Sequence, residues 1–166
     1  MKTTAFFTRI HGWLTGTRLT VDNSVVKDLD FNRFAGSWYE VARFDHFFER
    51  GMSYTKANYV ILEDGHIDVI NTGIKNGKPK TAKGKAKQTD IPSLLRVSFF
   101  GPFYSDYRVL LLDADYQYVL IGSGSDNYLW ILSRTPLLSE EAKTKILSEA
   151  QRRGYDTDKL IWVTQK

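Results

Sequence analysis

From residue 38 onward, apolar and polar side chains alternate with a period close to two, the spacing that sends successive side chains to opposite faces of a strand. Eight such runs are predicted, over 38–45, 53–63, 66–73, 81–88, 94–100, 106–113, 117–123 and 128–133. The segments between them have turn chemistry. Asp64-Gly65 suits a two-residue hairpin with positive φ, and Asn76-Gly77 and the Gly122–Asn127 stretch mark further turns. Asp113-Ala114-Asp115-Tyr116 suits a tight turn with Asx-type bonding. Consecutive short strands with such brief links predict an all-β fold, an eight-stranded up-and-down antiparallel barrel that closes on itself and leaves no free edge.

After Pro136 the period changes. Ser139 can cap a helix, Glu140 and Glu141 suit its first turn, and Ala142, Ile146 and Ala150 repeat at helical spacing up to Gly154, which can end it. A short strand over 160–163 follows. This predicts one C-terminal α-helix packed outside the barrel.

Alternation also assigns faces. With Trp38 inward, Glu40, Ala42 and Phe44 point inward too, and the matching phase on later strands turns in Ala57, Tyr59, Val69, Asn71, Val97, Phe99, Tyr107, Val109, Tyr128 and Trp130. The opposite phase carries Lys83, Lys85, Lys87, Arg96 and Arg108 into water. Ala57, Gly84 and Ala86 are small inward residues that leave space inside.

The chain has 166 residues, of which 42% are hydrophobic and 14% aromatic, enough to fill a core and also line a cavity. It has no apolar run of membrane-spanning length. It has no Cys, which removes disulfides, Cys-based zinc sites, thiolate nucleophiles and a lipid-accepting Cys. The net charge is +4, yet residues 1–21 hold Lys2, Arg9 and Arg18 with no acid, so the remainder is nearly neutral and no nucleic acid partner is expected. Residues 1–24 form a basic N-terminal arm that does not read as a signal peptide, because Arg9 and His11 interrupt its apolar stretch. Phe6, Ile10, Trp13 and Leu14 share one face if it is helical, which suits either a membrane-surface anchor or a short docked helix or tail.

Two separated segments carry the most information. Gly36-Ser-Trp38-Tyr-Glu-Val-Ala-Arg43 opens the first strand, and Leu129-Trp-Ile-Leu-Ser-Arg134-Thr-Pro closes the eighth. An Arg placed over a Trp at one end of a barrel gives a cation–π contact and guanidinium bonds to nearby carbonyls. Together with residues 42–51, residues 97–104 and the 113–116 turn, these segments resemble the lipocalin family, in the branch that holds bacterial lipocalins, apolipoprotein D and the plant temperature-induced lipocalins. The resemblance runs from about Val25 to Val163, so residues 25–166 are read as a lipocalin domain, with Gly36, Trp38 and Arg134 as its structural plug.

The resemblance implies binding, storage or transport of a small amphiphilic lipid, a fatty acid or lysophospholipid, associated with membrane maintenance or stress. It also implies association with the cell envelope, while the absence of Cys and of a signal peptide leaves a cytoplasmic placement open. The expected ligand-binding residues are Ala57, Tyr59, Val69, Asn71, Val97, Phe99, Tyr107, Val109, Tyr128 and Trp130, with Asn71 and the Tyr hydroxyls suited to a polar head group. Glu40 is expected to be a satisfied structural carboxyl. The entrance is expected to carry Phe47, Phe48, Arg50, Lys75, Lys78, Lys80, Phe103 and Tyr104, cations beside aromatics that suit an anionic head or a membrane surface. No catalytic residue, metal or cofactor is expected: the three His residues lack metal-ligand spacing and no nucleophile elbow or phosphate loop occurs. The alternatives are a dimeric interaction protein using the rim aromatics, and a carrier of a pigment, retinoid-like or haem-like ligand.

Overall fold

A computed structural model of the chain describes residues 20–47 and 49–165. The elements run α1 (Phe31–Phe34), β1 (Gly36–Phe44), β2 (Ser53–Ile61), β3 (Ile67–Lys75), β4 (Lys78–Gln88), β5 (Leu94–Phe100), β6 (Phe103–Leu112), β7 (Tyr118–Gly122), β8 (Leu129–Ser133), α2 (Glu140–Arg152), a 3₁₀ turn (Thr157–Lys159) and β9 (Leu160–Trp162). Strands β2 to β8 pair antiparallel in chain order, and β1 closes the ring between β8 and β2. The predicted eight-stranded barrel with one C-terminal helix is therefore the observed fold. β9 adds to β1 beyond the closed ring.

The β3–β4 hairpin is longer than the alternation indicated, because Asn76 (φ 53°) and Gly77 (φ 74°) form the two-residue turn between Lys75 and Lys78. Asp64-Gly65 does not make such a turn. β2 and β3 end at the Ile61–Ile67 pair, and residues 62–66 form a longer loop in which the Leu62 amide donates to the His66 carbonyl.

The inward assignment of Ala42 and Phe44 is corrected by a β-bulge. The β1–β8 register shifts between Glu40 and Ala42, so Val41 and Ala42 fall on the same side and the phase reverses. Ala42 and Phe44 thus lie outside the barrel, packed with Leu120, Ile131 and Ile146, and Arg43 turns inward, 2% exposed, toward Glu40. Beyond the bulge, the second half of β1 leaves β2 and pairs with β9. Gln165 spans the gap by donating to the carbonyls of Glu40 and Thr55 at 2.7 and 2.8 Å.

Two apolar clusters result. One fills the lower barrel with Trp38, Tyr59, Ile67, Val69, Leu95, Val109, Val119, Ile121 and Leu132. The other lies between the outer wall and α2, where Ala142, Ile146 and Ala150 meet Leu110, Leu120, Leu129 and Ile131. The sequence of α2 explains its limits: Ser139 Oγ accepts from the Ala142 amide at 3.1 Å, and Gly154 (φ 96°) follows its last turn. Burying Ile146 alone contributes about 2 kcal/mol.

The lower end is closed by α1, a single turn capped by Asp30, which the residue pattern is too short to announce. Trp38 Nε1 donates to the Phe34 carbonyl at 2.7 Å, and the Arg134 guanidinium lies 3.8 Å over the Trp38 ring. Arg134 also donates to the carbonyls of Arg33, Phe34, Ala35, Ser37 and Tyr116. Gly36 (φ 92°) makes the left-handed step from α1 into β1 that brings those carbonyls under one guanidinium. Residues 22–24 lie against the wall, held by Arg153, which donates to the carbonyls of Asp22, Ser24 and Leu110. The proposed membrane-facing role of the N-terminal arm concerns residues outside those described, apart from residues 20–24.

Candidate functional site

With its lower end sealed, the barrel opens at the other, between the 45–52 loop and the hairpins β3–β4 and β5–β6. Two adjoining chambers lie inside. The inner one, about 250 Å³, is walled by Ala57, Tyr59, Val69, Val97, Phe99, Tyr107, Ile121, Tyr128, Trp130 and Leu132. The outer one, about 560 Å³, lies toward the β3–β4 lip and is bounded by Met52, Thr55, Lys56, Lys75, Lys78, Lys80, Thr81, Ala82 and Phe100. Glu40, Glu49, Asn71, Phe99 and Phe100 border both.

The space exists because β4 is lined inward by small residues. Ala82, Gly84 and Ala86 share one phase, and a Cβ on Gly84 would lie 2.7 Å from the Phe99 ring. Glycine there lets Phe99 cross β4 as part of the chamber wall. On the opposite side Tyr128 and Trp130 stack at 5.7 Å with 14° between their planes.

Nine of the ten residues expected to meet a ligand border this cavity: Ala57, Tyr59, Val69, Asn71, Val97, Phe99, Tyr107, Tyr128 and Trp130. Val109 does not; it is fully buried in the lower cluster. The Tyr59 and Tyr107 hydroxyls bond each other at 2.7 Å, so they are already used, and burial pushes both phenols up from their ordinary value. Asn71 differs: its buried Oδ1 has no hydrogen-bond partner among the described residues.

The entrance residues separate. Lys75, Lys78 and Lys80 do face the outer chamber, because β3 and β4 bring them to the lip in the inward phase. Phe103 borders the inner chamber and remains 76% exposed, while Phe47 is 71% exposed on its loop. Arg50 pairs with Asp45 at 3.0 Å and Tyr104 lies under Lys87 outside the barrel, so neither reaches the cavity. Phe48 lies outside the described residues. Gly36, Trp38 and Arg134 all sit at the closed end.

A polar cluster in the cavity wall escapes the alternation pattern. Arg43 donates to Glu40 Oε1 at 3.0 Å and to the carbonyls of Glu49 and Met52, tying the 45–52 loop down into the mouth. His46 Nε2 lies 3.0 Å from Glu49 Oε1, to which Trp130 Nε1 donates at 3.3 Å. Burial pushes the Glu40 carboxyl well above the carboxylate range, aided by the charge of Glu49 and the hydrogen bond the two share. Burial acts in the same sense on Glu49, but hydrogen bonds from His46 and Glu40 and the charges of His46 and Arg43 outweigh it and hold Glu49 below its ordinary value. Of the two, Glu40 therefore holds its proton the more tightly and Glu49 gives its proton up first. Its bonds to Arg43 and Glu49 make Glu40 the satisfied group expected, although it also borders the cavity. The signal in the sequence was Val41-Ala42, two consecutive apolar residues ahead of Arg43 that hint at the bulge.

A family model described as a lipocalin-like domain matches residues 29–165. The chain belongs to the lipocalin family. It is 47% identical over 146 residues to outer membrane lipoprotein Blc of Escherichia coli (strain K12), covering 86% of this chain and 82% of that protein. It is 40% identical over 148 residues to temperature-induced lipocalin-1 of Arabidopsis thaliana, covering 82% and 79%. Among solved structures, insecticyanin from the tobacco hornworm Manduca sexta shares the fold at a TM-score of 0.71 and 20% identity, covering 86% of this chain and 84% of that one. The resemblance read from the two motifs is therefore correct. This family and fold in general bind and carry hydrophobic small molecules and are not enzymes.

Proposed function

We propose that this lipocalin binds an amphiphile with a single acyl chain, a fatty acid or lysophospholipid, and releases it without covalent change. The observation that carries the reading is the division of the cavity: an inner chamber of aromatic and aliphatic side chains opens into an outer chamber edged by Lys75, Lys78 and Lys80. An apolar chain gains by leaving water for the inner wall, and an anionic head gains three cations at the lip together with polar Thr55 and Asn71. The relative's name, outer membrane lipoprotein, agrees with service at a cell envelope, and we include that placement in the proposal.

Titration with a lysophospholipid tests it, read by the fluorescence of Trp130 in the wall. Saturable binding is expected. Changing Lys75, Lys78 and Lys80 together to Gln should weaken it about tenfold and remove most of its salt dependence. Affinity and salt dependence that survive the triple change would sink the head-group part of the reading.

A further inference from the structure

Strand β4 carries a feature that ligand binding does not use. Six lysines occur between Lys75 and Lys87, and no acidic residue lies between Asp68 and Asp90. Three of these lysines face the chamber lip. The other three, Lys83, Lys85 and Lys87, alternate on the opposite face of the same strand, exposed on the outer wall. Of the acids on the flanking strands, Asp68 stands across from Lys85, and Asp106 is taken by Arg96 and Arg108. Lys83 has Ile70 as its partner on β3, and Lys87 has Arg96 on β5.

This charge is concentrated on a neutral body. Four of the 23 Lys and Arg residues lie at 1–19 and 166, so residues 20–165 hold 19 bases against 19 acids. The acids that balance this wall therefore lie elsewhere on the described body. A cation-rich wall on an otherwise neutral body orients the molecule in the field of an anionic surface before contact.

We propose that the outer face of β4, continuous with the β3–β4 lip, docks this lipocalin side-on on a bilayer containing anionic lipid, with the rim of the mouth at the edge of the contact. Continuity with the mouth singles out a bilayer among anionic partners. Phe100 and Phe103 pair at the tip of the β5–β6 hairpin, 64% and 76% exposed, and Phe47 stands exposed on the neighbouring loop. Apolar rings beside a lysine row match a headgroup layer over acyl chains. The inference rests on the lipid-carrier reading for the identity of the cargo, and the docking itself is measured without cargo.

The test is co-sedimentation of the full chain with vesicles of equal parts phosphatidylcholine and phosphatidylglycerol, against phosphatidylcholine alone. A triple variant, Lys83→Gln with Lys85→Gln and Lys87→Gln, is run beside an arm variant, Lys2→Gln with Arg9→Gln and Arg18→Gln. At about fivefold per lysine near an anionic surface, the β4 variant should lose about a hundredfold in partition to the anionic vesicles. Its lysophospholipid affinity in solution should stay unchanged, because its three side chains lie outside the cavity, and a Lys→Arg triple should restore partition. Equal binding to both vesicle types overturns the proposal. So does loss of binding in the arm variant alone, or a concentration-dependent dimer of the wild type that the β4 changes disrupt with no effect on vesicles. Failure of lysophospholipid uptake with intact vesicle partition would strike the lipid-carrier reading and leave the docking surface standing.

Discussion

Removing the guanidinium at the closed end, Arg134→Ala, should cost the barrel about 4 kcal/mol. Arg134 makes five bonds to main-chain carbonyls, those of Arg33, Phe34, Ala35, Ser37 and Tyr116, and covers the Trp38 ring at 3.8 Å. Charge-assisted bonds are worth about 1.5 kcal/mol or more when the carbonyls have no other partner. This end is partly open to water, so roughly half the carbonyls find a substitute and the bonds account for about 3 kcal/mol. The stacked cation adds about 1 kcal/mol. For a domain of this size each kcal/mol moves the thermal midpoint by about 2–4 °C, so the expected fall is about 8–16 °C. Arg134→Lys keeps the charge and loses the planar fork, and should fall about half as far. Thermal unfolding by circular dichroism, with urea unfolding followed through tryptophan fluorescence, reads both. A lysine variant as stable as wild type would show that charge alone holds the plug. An alanine variant within about 1 kcal/mol would refute the plug altogether. Well below the midpoint, ligand affinity should be unaffected, since the chambers lie above Trp38.

The carboxyl pair in the wall gives a pH signature. A carboxyl held above its unfolded value contributes stability that is complete below about pH 4 and is lost as the pH rises through the raised value. Wild-type urea midpoints should therefore decline as the pH rises above the ordinary carboxylate range and Glu40 ionises, and Glu40→Gln, which has no proton to lose there, should lack that decline; parallel profiles would contradict the assignment. Ala57→Phe fills the inner chamber from its wall and should lower lysophospholipid affinity about tenfold or more while the far-ultraviolet dichroism keeps its barrel form. Unchanged affinity would place the ligand elsewhere.

Much of this architecture can be read from the residues, and the exceptions have local causes. The two-residue period holds over Lys56–Ile61 of β2, along β3, over Leu94–Val97 of β5 and along β4, where Lys83, Lys85 and Lys87 alternate with Gly84 and Ala86, and it placed Ala57, Val69 and Val97 inside. On β6 it breaks where the ladder shifts between Val109 and Leu111. On β1 it failed after Glu40, because the bulge at Val41-Ala42 adds one residue to one side of the ladder. That failure hid the polar cluster: strict alternation sends Arg43 to solvent, whereas the reversed phase buries it between Glu40 and the carbonyls of the 45–52 loop. His46 and Glu49 lie on that loop, where no periodicity applies and only the fold brings them to Trp130. α1 has four residues, fewer than a helical pattern needs to be visible, although Asp30 marks its cap. The lip lysines could be located because the Asn76-Gly77 turn fixes the hairpin register, and with it which lysines turn inward.

Native mass spectrometry of the purified full chain, with lipid extraction after denaturation, tests the central claim most directly. The account predicts a bound acyl-chain amphiphile at about one per barrel, or its uptake when a lysophospholipid is added, and loss of that species in Ala57→Phe. A barrel that stays empty under both conditions, while folded, would contradict it.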